Sequence, residues 1–508
     1  MTYKVTIVGA VGENVVYNEQ SIINLLNTQQ QALLHGNLFT GKPSTKLYID
    51  EHNALKIRAE IRLDSRAALK WATQALTKEQ TYQVHHPHKT WFIAQETDQP
   101  IALIGNICPR LHPVHDLFTH ATVDIQTRLQ HLATLFEHYL RLAKNTGVRL
   151  DEGLSNFGVT PEGQLYYLDD DFYTWDRFIT CAQVIGVYFR KLLWLNTETS
   201  PIFARSMRAL ILKHFKDKQY LSVLAEQLED VFIPAETQRI ALESFIKALD
   251  ERHEATHIHF NTTRYIALLA DIHANLPALE TVLAYLKDQN ITYGIILGDI
   301  VGYGPHPSEC IELVRHSGFH IVKGNHDHGL ATGNFKKGFS NSASWALEWA
   351  TPRVTTEQKA WLADLPPILH DEKWLALHGA PIDPTFFNAY VYEMSYEDNL
   401  EVLARKNISI CFHGHTHQPV IYARKAGFAD SSYKGVNIDL NPFDYSLVCP
   451  GSVGQPRNGD VNAQFAVYDQ ETRKISYHTI AYPIEKTLMD MQNAGFPETL
   501  IKMLRSST

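Results

Sequence analysis

The chain has 508 residues, 44% of them hydrophobic and 20% charged, with a formal net charge of -9. At ~100–200 residues per domain this length implies two to four domains, and the composition excludes a disordered or fibrous chain. The negative balance favours solubility and gives no help against a nucleic-acid backbone, although a local basic groove stays open.

The first half opens with mixed strand and turn signals, followed by a helical pattern over 66–78 and the strands TWFIAQE and ALIGNIC. A long helix is expected over 122–145. The segment GVRLDEGLSNFGVTPEGQLYYLDDDFY then reads as loop, strand, turn, strand, and long helical patterns over 203–232 and 236–249 close the half. The character changes in DERHEATHIHFNTT, a polar stretch that suits a linker. Three regions are expected: a domain over 1–245, a linker over 246–262 and a second domain over 263–508.

The second half alternates strands and helices. YIALLAD, YGIILGD, HIVKGNHD, KWLALHG, ISICFHGHTH and YSLVCPGS are apolar runs stopped by Asp, His or Gly. That is the layout of an α/β sheet whose strand ends carry a site. AQFAVYD and KISYHTIAY alternate more and are expected in a second, mixed sheet. The start MTYKVTIVGAVGENVVY lacks the features of a secretory signal, and no stretch reaches the ~18 apolar residues of a membrane span. The five cysteines are scattered without metal-ligand pairs, which suits a reducing compartment. A cytoplasmic protein with no membrane partner is expected, and its oligomeric state stays open.

Five clusters supply metal-ligand types: Asp271 and His273 in ADIHAN, Asp299 in GDIVGYG, Asn325 and His326 in GNHDH, His378 in LHG, and His415 and His417 in GHTH. Each alone reads equally as an ordinary polar turn; their succession at five strand ends does not. Oxygen and imidazole donors suit Mn, Fe, Ni or Zn, and the lack of thiolates argues against a structural zinc knot. Gly298, Gly324, Gly379 and Gly414 stand beside these residues, where a missing side chain allows close backbone approach. Two neighbouring cations need a bridging anion, for which Asp299 is chosen. One metal is then assigned to Asp271, His273, Asp299 and His417, the other to Asp299, Asn325, His378 and His415. His326 is the group expected to stabilise the transferred phosphoryl or protonate the leaving oxygen.

With DIHAN, GDIVGYGPHP, GNHD, LHGAP and GHTHQP, residues 265–485 resemble the calcineurin-like metallophosphoesterase superfamily, in its small bacterial and archaeal phosphodiesterase branch. The resemblance implies a double-sheet α/β sandwich, two divalent transition metals, and hydrolysis of phosphomonoesters or phosphodiesters. GSVGQPR resembles a family segment near the active site; its Arg457 meets a substrate phosphate or caps the loop. Tyr303, Phe386, Phe387 and Tyr390 follow the metal strands and either stack on a base or pack in the core.

In the first half, Asp151, Asn156 and Asp169 have the types and order that a phosphotransferase needs: an acceptor-positioning carboxylate, an amide on Mg²⁺ and a carboxylate at metal and phosphates. The segment resembles the protein-kinase-like fold, implying an α+β two-lobed domain, ATP and Mg²⁺, Lys56 on the nucleotide phosphates, and GNICPRLHP as the hinge between lobes. The departures are RLD without a preceding His, DDD without Phe and Gly, and no full glycine-rich loop before Lys56. GNLFTGKP is spaced like a P-loop, but Pro43 takes the Ser/Thr position. Two readings follow. A phosphoesterase is fused to a kinase-like domain acting on a related substrate such as a nucleotide or nucleic-acid ends, or an inactive, degenerate kinase-like domain senses nucleotide and regulates its neighbour. An acidic solvated loop on an unrelated α+β domain is the plain alternative.

Overall fold

The computed structural model describes residues 3–30, 34–35, 38–39, 45–97, 99–119, 123–250, 258, 263–335, 338–371 and 373–506. The chain falls into two compact units, one of Met1–Lys216 with Leu224–Leu249, the other of Asp217–Val223 with Asp250–Thr508. Of the segment expected as a linker, residues 251–257 and 259–262 lie outside the described residues, and its start belongs to the helix Glu236–Leu249. Of GNLFTGKP, only the short strand Leu38–Phe39 is described.

In the first unit, β1 (Tyr3–Ala10), β2 (Thr45–Ile49), β3 (Asn53–Arg58), β4 (Thr90–Glu96) and β5 (Ala102–Pro109) form an antiparallel sheet in the order β1-β4-β5-β3-β2. Side chains alternate across a strand. Leu55 and Ile57 therefore pack with Ile22 and Leu25 of the helix Glu19–Leu26, while Lys56 and Arg58 turn to the other face. That other face is covered by the helix Ser65–Tyr82 through Ala68, Ala72 and Leu76, packed with Trp91, Ile93 and Ile104. The long helix Ile125–Thr146 follows, then the short antiparallel pairs Phe157–Val159 with Leu165–Tyr167 and Val148–Arg149 with Tyr173–Thr174. The helical pattern expected over 203–232 is two helices, Ser200–Phe215 and Gln219–Glu229; Lys216 caps the first in the left-handed region, at φ 55°.

In the second unit, two six-stranded sheets carry the alternating run. Its strands are β6 (Tyr265–Leu269), β7 (Gly294–Ile296), β8 (His320–Ile321), β9 (Ile368–His370), β10 (Trp374–Leu377), β11 (Ile410–Phe412), β12 (Val420–Arg424), β13 (Ser431–Tyr433), β14 (Asn437–Asp439), β15 (Tyr445–Cys449), β16 (Ala463–Asp469) and β17 (Lys474–Ile480). The sheet orders are β8-β7-β6-β16-β17-β14 and β9-β10-β11-β15-β12-β13. The sequence-based expectation for AQFAVYD and KISYHTIAY is thus corrected: β16 pairs antiparallel with β6 inside the first sheet, with β17 beyond it. The second sheet instead takes KWLALHG and ISICFHG, which pair in parallel beside the antiparallel edge strand β9.

The strands read as continuous apolar runs because every residue faces one of two cores. Ile266, Leu268, Trp374, Ala376, Ile410 and Phe412 meet between the sheets. Ala267, Leu269, Phe465 and Val467 face the helices Leu276–Asp288 and Pro307–Arg315 on one outer side. Leu375, Leu377 and Cys411 face the helix Tyr396–Lys406 on the other. Each alternate position is buried, so the period of two disappears from the sequence. No helix among the described residues is long and apolar enough to cross a membrane.

One buried side chain ties the first sheet's helices to the site below. Asn275 caps the helix Leu276–Asp288, donates to the Gly454 carbonyl at 3.0 Å and to the Tyr482 hydroxyl at 2.9 Å, and accepts from Thr487 at 2.9 Å. An Asn275→Ala change leaves several buried polar groups unpaired, and is expected to lower stability by about 1–3 kcal/mol. Urea unfolding of the full chain checks this; an unchanged midpoint contradicts it.

Candidate active site

Asp271 and His273 follow β6, Asp299 follows β7, Asn325 and His326 follow β8, His378 follows β10, and His415 and His417 follow β11. Both sheets therefore deliver side chains to one buried niche, in which Asp271, His273, Asp299, His326, His378, His415 and His417 are all nearly inaccessible to solvent. Asp271, His273, Asp299, His415 and His417 have φ between 47° and 70°, in the left-handed region. A non-glycine residue there costs ~1–3 kcal/mol, and such strain gathers at functional sites.

Hydrogen bonds fix which atoms point inward. The Nδ1 atoms of His273, His378 and His417 donate to the carbonyls of Val301, Leu297 and Gln455 at 3.1, 2.7 and 2.6 Å. A ring that is neutral in this tautomer presents Nε2 as a lone pair, and a backbone carbonyl of this kind orients a ligating imidazole. The Nε2 atoms of His273 and His417 face each other at 3.1 Å. The Nε2 of His378 stands 3.0 Å from His415 Nδ1, 3.1 Å from the Asn325 side-chain oxygen and 3.3 Å from Asp299 Oδ2. His417 Nε2 is 3.3 Å from Asp271 Oδ1, and His273 Nε2 is 3.7 Å from Asp299 Oδ2. Acceptors thus converge on acceptors.

Three sets of ligand atoms each close to within 4.8 Å of one another: Asp271, His273 and His417; His273, Asp299 and His326; and Asp299, His378 and His415. The first and third fall within the two ligand groups expected from sequence, and Asp299 lies between them. The middle set is the unforeseen one, since it brings His326 Nε2 to 3.9 Å from Asp299 Oδ2. Convergent lone pairs in a buried niche are repulsive unless a cation stands among them, so the donor set fits divalent metals.

The titration behaviour has the same origin. Burial holds His273, His415 and His417 well below the ordinary imidazole range and takes His326 down to about 4, so these rings are neutral. Burial acts to raise Asp299, but the charge of His378 and its hydrogen bond to the carboxylate overcome it and keep Asp299 well below its ordinary range. Burial pushes Asp271 up to about 7, with His378 opposing the rise. His378 goes the other way, up to about 9, because Asp299 outweighs its burial.

The residues around the niche hold it in shape. Asp299 Oδ1 accepts from the His326 backbone at 2.9 Å, and Asp271 Oδ2 accepts from the His415 backbone at 3.0 Å. A Cβ at Gly324 would lie 2.1 Å from Asp299 Oδ1, which explains the glycine of GNHD. Sequence reasoning missed Asp327, which is buried and accepts from the backbone of Gly324, Ile300 and Val301 at 3.0, 2.9 and 3.2 Å, tying two ligand loops together. The signal was present as the last letter of GNHD. The GSVGQPR segment holds the backbone of the first loop: Ser452 Oγ and Gly454 N both donate to the Asp271 carbonyl, at 2.7 and 3.0 Å. A Cβ at Gly454 would fall 1.8 Å from the Ile272 carbonyl.

Arg457 ends that segment. Its guanidinium lies 5.9 Å from the Tyr303 ring centre, and its charge acts on Asp271, His273, His326 and His417. Tyr303 stands edge-on to His273, with centroids 4.7 Å apart. Tyr390 lies flat on His415, with centroids 3.9 Å apart and planes 18° from parallel. Burial raises the Tyr390 phenol, with Arg457 opposing the rise and the charges of Asp299 and Asp271 adding to it. Phe387 is buried beside His378, whereas Phe386 pairs with Tyr220.

The first unit has its own constellation, around a cavity of about 850 Å³. Lys56, Asp151, Asn156 and Asp169 all line it, as do Lys89, Asn106 and Asp170. Lys56 donates to the Leu168 carbonyl, and Asp151 Oδ1 accepts from the Gly153 backbone at 3.0 Å. The strongest contact was not foreseen. Lys89 Nζ is 2.6 Å from both Glu79 Oε1 and Asp170 Oδ1, and Trp91 and Asn106 donate to the same carboxylates at 2.8 and 3.2 Å. Glu79 stands on the apolar face of its helix, in series with Ala68, Ala72 and Leu76. A charge in that stripe was the available signal. Glu79, His85 and Asp170 also have metal-ligand spacing, but the Lys89 ammonium already bridges the two carboxylates. Breaking a buried pair from one side costs about 3–5 kcal/mol. Lys89→Met is expected to destabilise the first unit by that amount, read from its denaturant transition, and a neutral outcome excludes the ion pair as its support.

Comparison with known proteins places the second unit. A family model described as the calcineurin-like phosphoesterase superfamily domain matches residues 265–473. The uncharacterized protein MJ0912 of Methanocaldococcus jannaschii is 31% identical over 239 residues, covering 46% of this chain and 95% of the relative. Among solved structures, a metallophosphoesterase from Sphaerobacter thermophilus shares 32% identity, with a TM-score of 0.42 over 49% of this chain and all (100%) of that one. The hypothetical protein PH1004 from Pyrococcus horikoshii OT3 shares 24% identity, with a TM-score of 0.40 over 48% of this chain and 98% of that one. The kinase-like reading of residues 1–245 draws no support from these matches.

Proposed function

We propose, for a chain that belongs to the calcineurin-like phosphoesterase superfamily through residues 265–473, that Asp271, His273, Asp299 and His417 hold one divalent cation and Asp299, Asn325, His378 and His415 a second. The family's chemistry is metal-dependent phosphoester hydrolysis at a dinuclear site. The observation that carries the residue assignment is the convergence of acceptors: His273 Nε2 on His417 Nε2, and His378 Nε2 on Asn325, His415 and Asp299. Imidazole, carboxylate and amide donors without thiolate suit Mn, Fe, Ni or Zn. A cation pair there supplies an acidified water and offsets charge on the attacking and leaving oxygens.

The chain's own residues do the rest. Hydrolysis joins a water oxygen to phosphorus and breaks one P–O bond; the water gives up a proton and the departing oxygen leaves with the electron pair and gains one. His326 lies against Asp299 and is neutral near pH 7, so it enters as a hydrogen-bond donor to a phosphoryl oxygen. Arg457, set against Tyr303, is the group to neutralise a non-reacting phosphate oxygen. Monoesters and diesters both satisfy this arrangement. The five cysteines are free, which supports a reducing, cytoplasmic setting.

A second reading concerns residues 1–245. Lys56, Asp151, Asn156 and Asp169 line one cavity with both acidic and basic walls, which supports a kinase-like domain that takes Mg²⁺ and ATP. Whether it transfers phosphate to a related substrate or only senses the nucleotide divides the two forms of this reading. Titrating ATP and Mg²⁺ onto wild type and Lys56→Ala separates them. Saturable binding lost in K56A, with no phosphorylated product from a panel of nucleosides and oligonucleotide ends, supports sensing. Product formation supports transfer, and no binding at all removes the kinase-like reading.

For the metal centre, Asp299→Asn is expected to lower bound Mn²⁺, measured by elemental analysis. It should also cost more in kcat/KM than the ~10–100-fold typical of outer-shell changes. Retained metal with unchanged hydrolysis rejects the bridging role. His326→Ala is expected to keep its metal while kcat falls ~10²–10⁴-fold. Joint loss of metal and turnover would make His326 a ligand instead.

A further inference from the structure

The loop after His378 carries a feature that neither metal binding nor hydrolysis requires. Two polar knots hold it. Asp383 accepts from the backbone of Phe386 and Asn388 at 3.1 and 2.9 Å, and Ser395 Oγ donates to the Tyr390 carbonyl at 2.6 Å. Between the knots the loop presents large apolar side chains outward: Tyr390 is 41% exposed, Tyr392 43% and Met394 84%. Single exposed apolar residues need no explanation, but three within five positions beside a buried polar niche do.

Tyr390 is the anchor of this group. One face of its ring is stacked on His415, which follows the second-sheet strand β11, and the stack fixes the ring parallel to an imidazole of the niche. One face of the ring is thus covered while 41% of the residue stays accessible. A ring held flat in this way accepts another π-face at little entropic cost. Arg457, beside the Tyr303 ring, is the cationic group proposed above for the phosphate.

We infer that Tyr390 is a specificity-determining residue: its ring stacks on an aromatic ring of the substrate whose phosphate sits at the Arg457 side of the niche. This rests on the phosphoesterase reading of the same site and names the chemistry of the organic group, a flat aromatic ring carried by the phosphate ester. Tyr392 and Met394 extend the apolar surface outward from it.

The test compares two phosphates that differ only by the ring: adenosine 5′-monophosphate and ribose 5-phosphate. Each is titrated calorimetrically onto Mn²⁺-loaded full-length protein, as wild type, Tyr390→Phe and Tyr390→Ala, with metal content measured for all three. Stacking of a base on an aromatic side chain is worth about 5- to 150-fold in affinity. Wild type and Y390F are expected to prefer the nucleotide by a factor in that range. Y390A is expected to lose the preference while keeping its metal and its affinity for ribose 5-phosphate. Equal loss of both ligands in Y390A, or loss of its metal, makes Tyr390 a support for His415 and overturns the inference. Wild-type binding of both ligands with equal affinity also overturns it, yet leaves the phosphoesterase reading standing. Binding of neither by the metal-loaded wild type removes the phosphate site and both readings together.

Discussion

The second unit is organised by electrostatics in a place without water. Two carboxylates and five imidazoles are packed where solvent does not reach, and the carbonyls of Val301, Leu297 and Gln455 orient three of those rings with Nε2 inward. Desolvation makes such a cluster unfavourable unless positive charge enters it. The surrounding features serve that one constraint. Left-handed backbone at five of the ligands turns side chains inward from strand ends, Gly324 makes room for Asp299, and Asp327 knots the loops after β7 and β8. The two sheets have unremarked interiors of Ile, Leu, Val and Phe; their part is to hold five strand ends together.

The first unit solves a similar problem with its own atoms. Glu79 and Asp170 would repel in a buried setting, and Lys89 neutralises them from within. Burial acts to depress Lys89, but Asp170 and Glu79 overcome it and hold the ammonium charged. The contrast between the units is informative. Where the chain supplies a cation the acidic cluster is complete; where it supplies only acceptors, something must be brought in. Asp170 is accordingly engaged with Lys89, while Asp151 and Asp169 line the cavity together with Lys56.

Much of the second unit was legible in the letters because chemistry and topology coincide there. Polar residues that stop apolar runs mark strand ends, and DIHAN, GDI, GNHD, LHG and GHTH each mark one; the structure gathers the seven residues proposed as ligands into the niche. The sheet to which AQFAVYD belongs was not legible. Its alternation suggested a second, mixed sheet, but β16 lies in the first sheet between two cores, and pairing partners are a long-range property that local pattern does not carry. In the first unit, Lys56 and the Asp151 to Asp169 segment were found by spacing, while Lys89 was passed over. It sits in a run of histidines and lysine, HHPHKTW, that looks like a solvated turn, and only the folded chain brings Glu79 and Asp170 to it. Tyr390 was visible as an aromatic near the site, but its flat seat on His415 was not.

The niche also joins parts of the chain that are far apart in sequence: the His415 backbone closes on Asp271 across 144 positions. No contiguous fragment of the unit holds a complete ligand set, and the ligands assemble only when both sheets have formed and docked. Long-range closure of this kind comes late in folding. On the proposed assignment, cation uptake is a readout of a finished fold, and by mass action it draws the equilibrium toward that fold. A chain that completes both sheets without taking up a cation then keeps its buried carboxylates and imidazoles without that stabilisation.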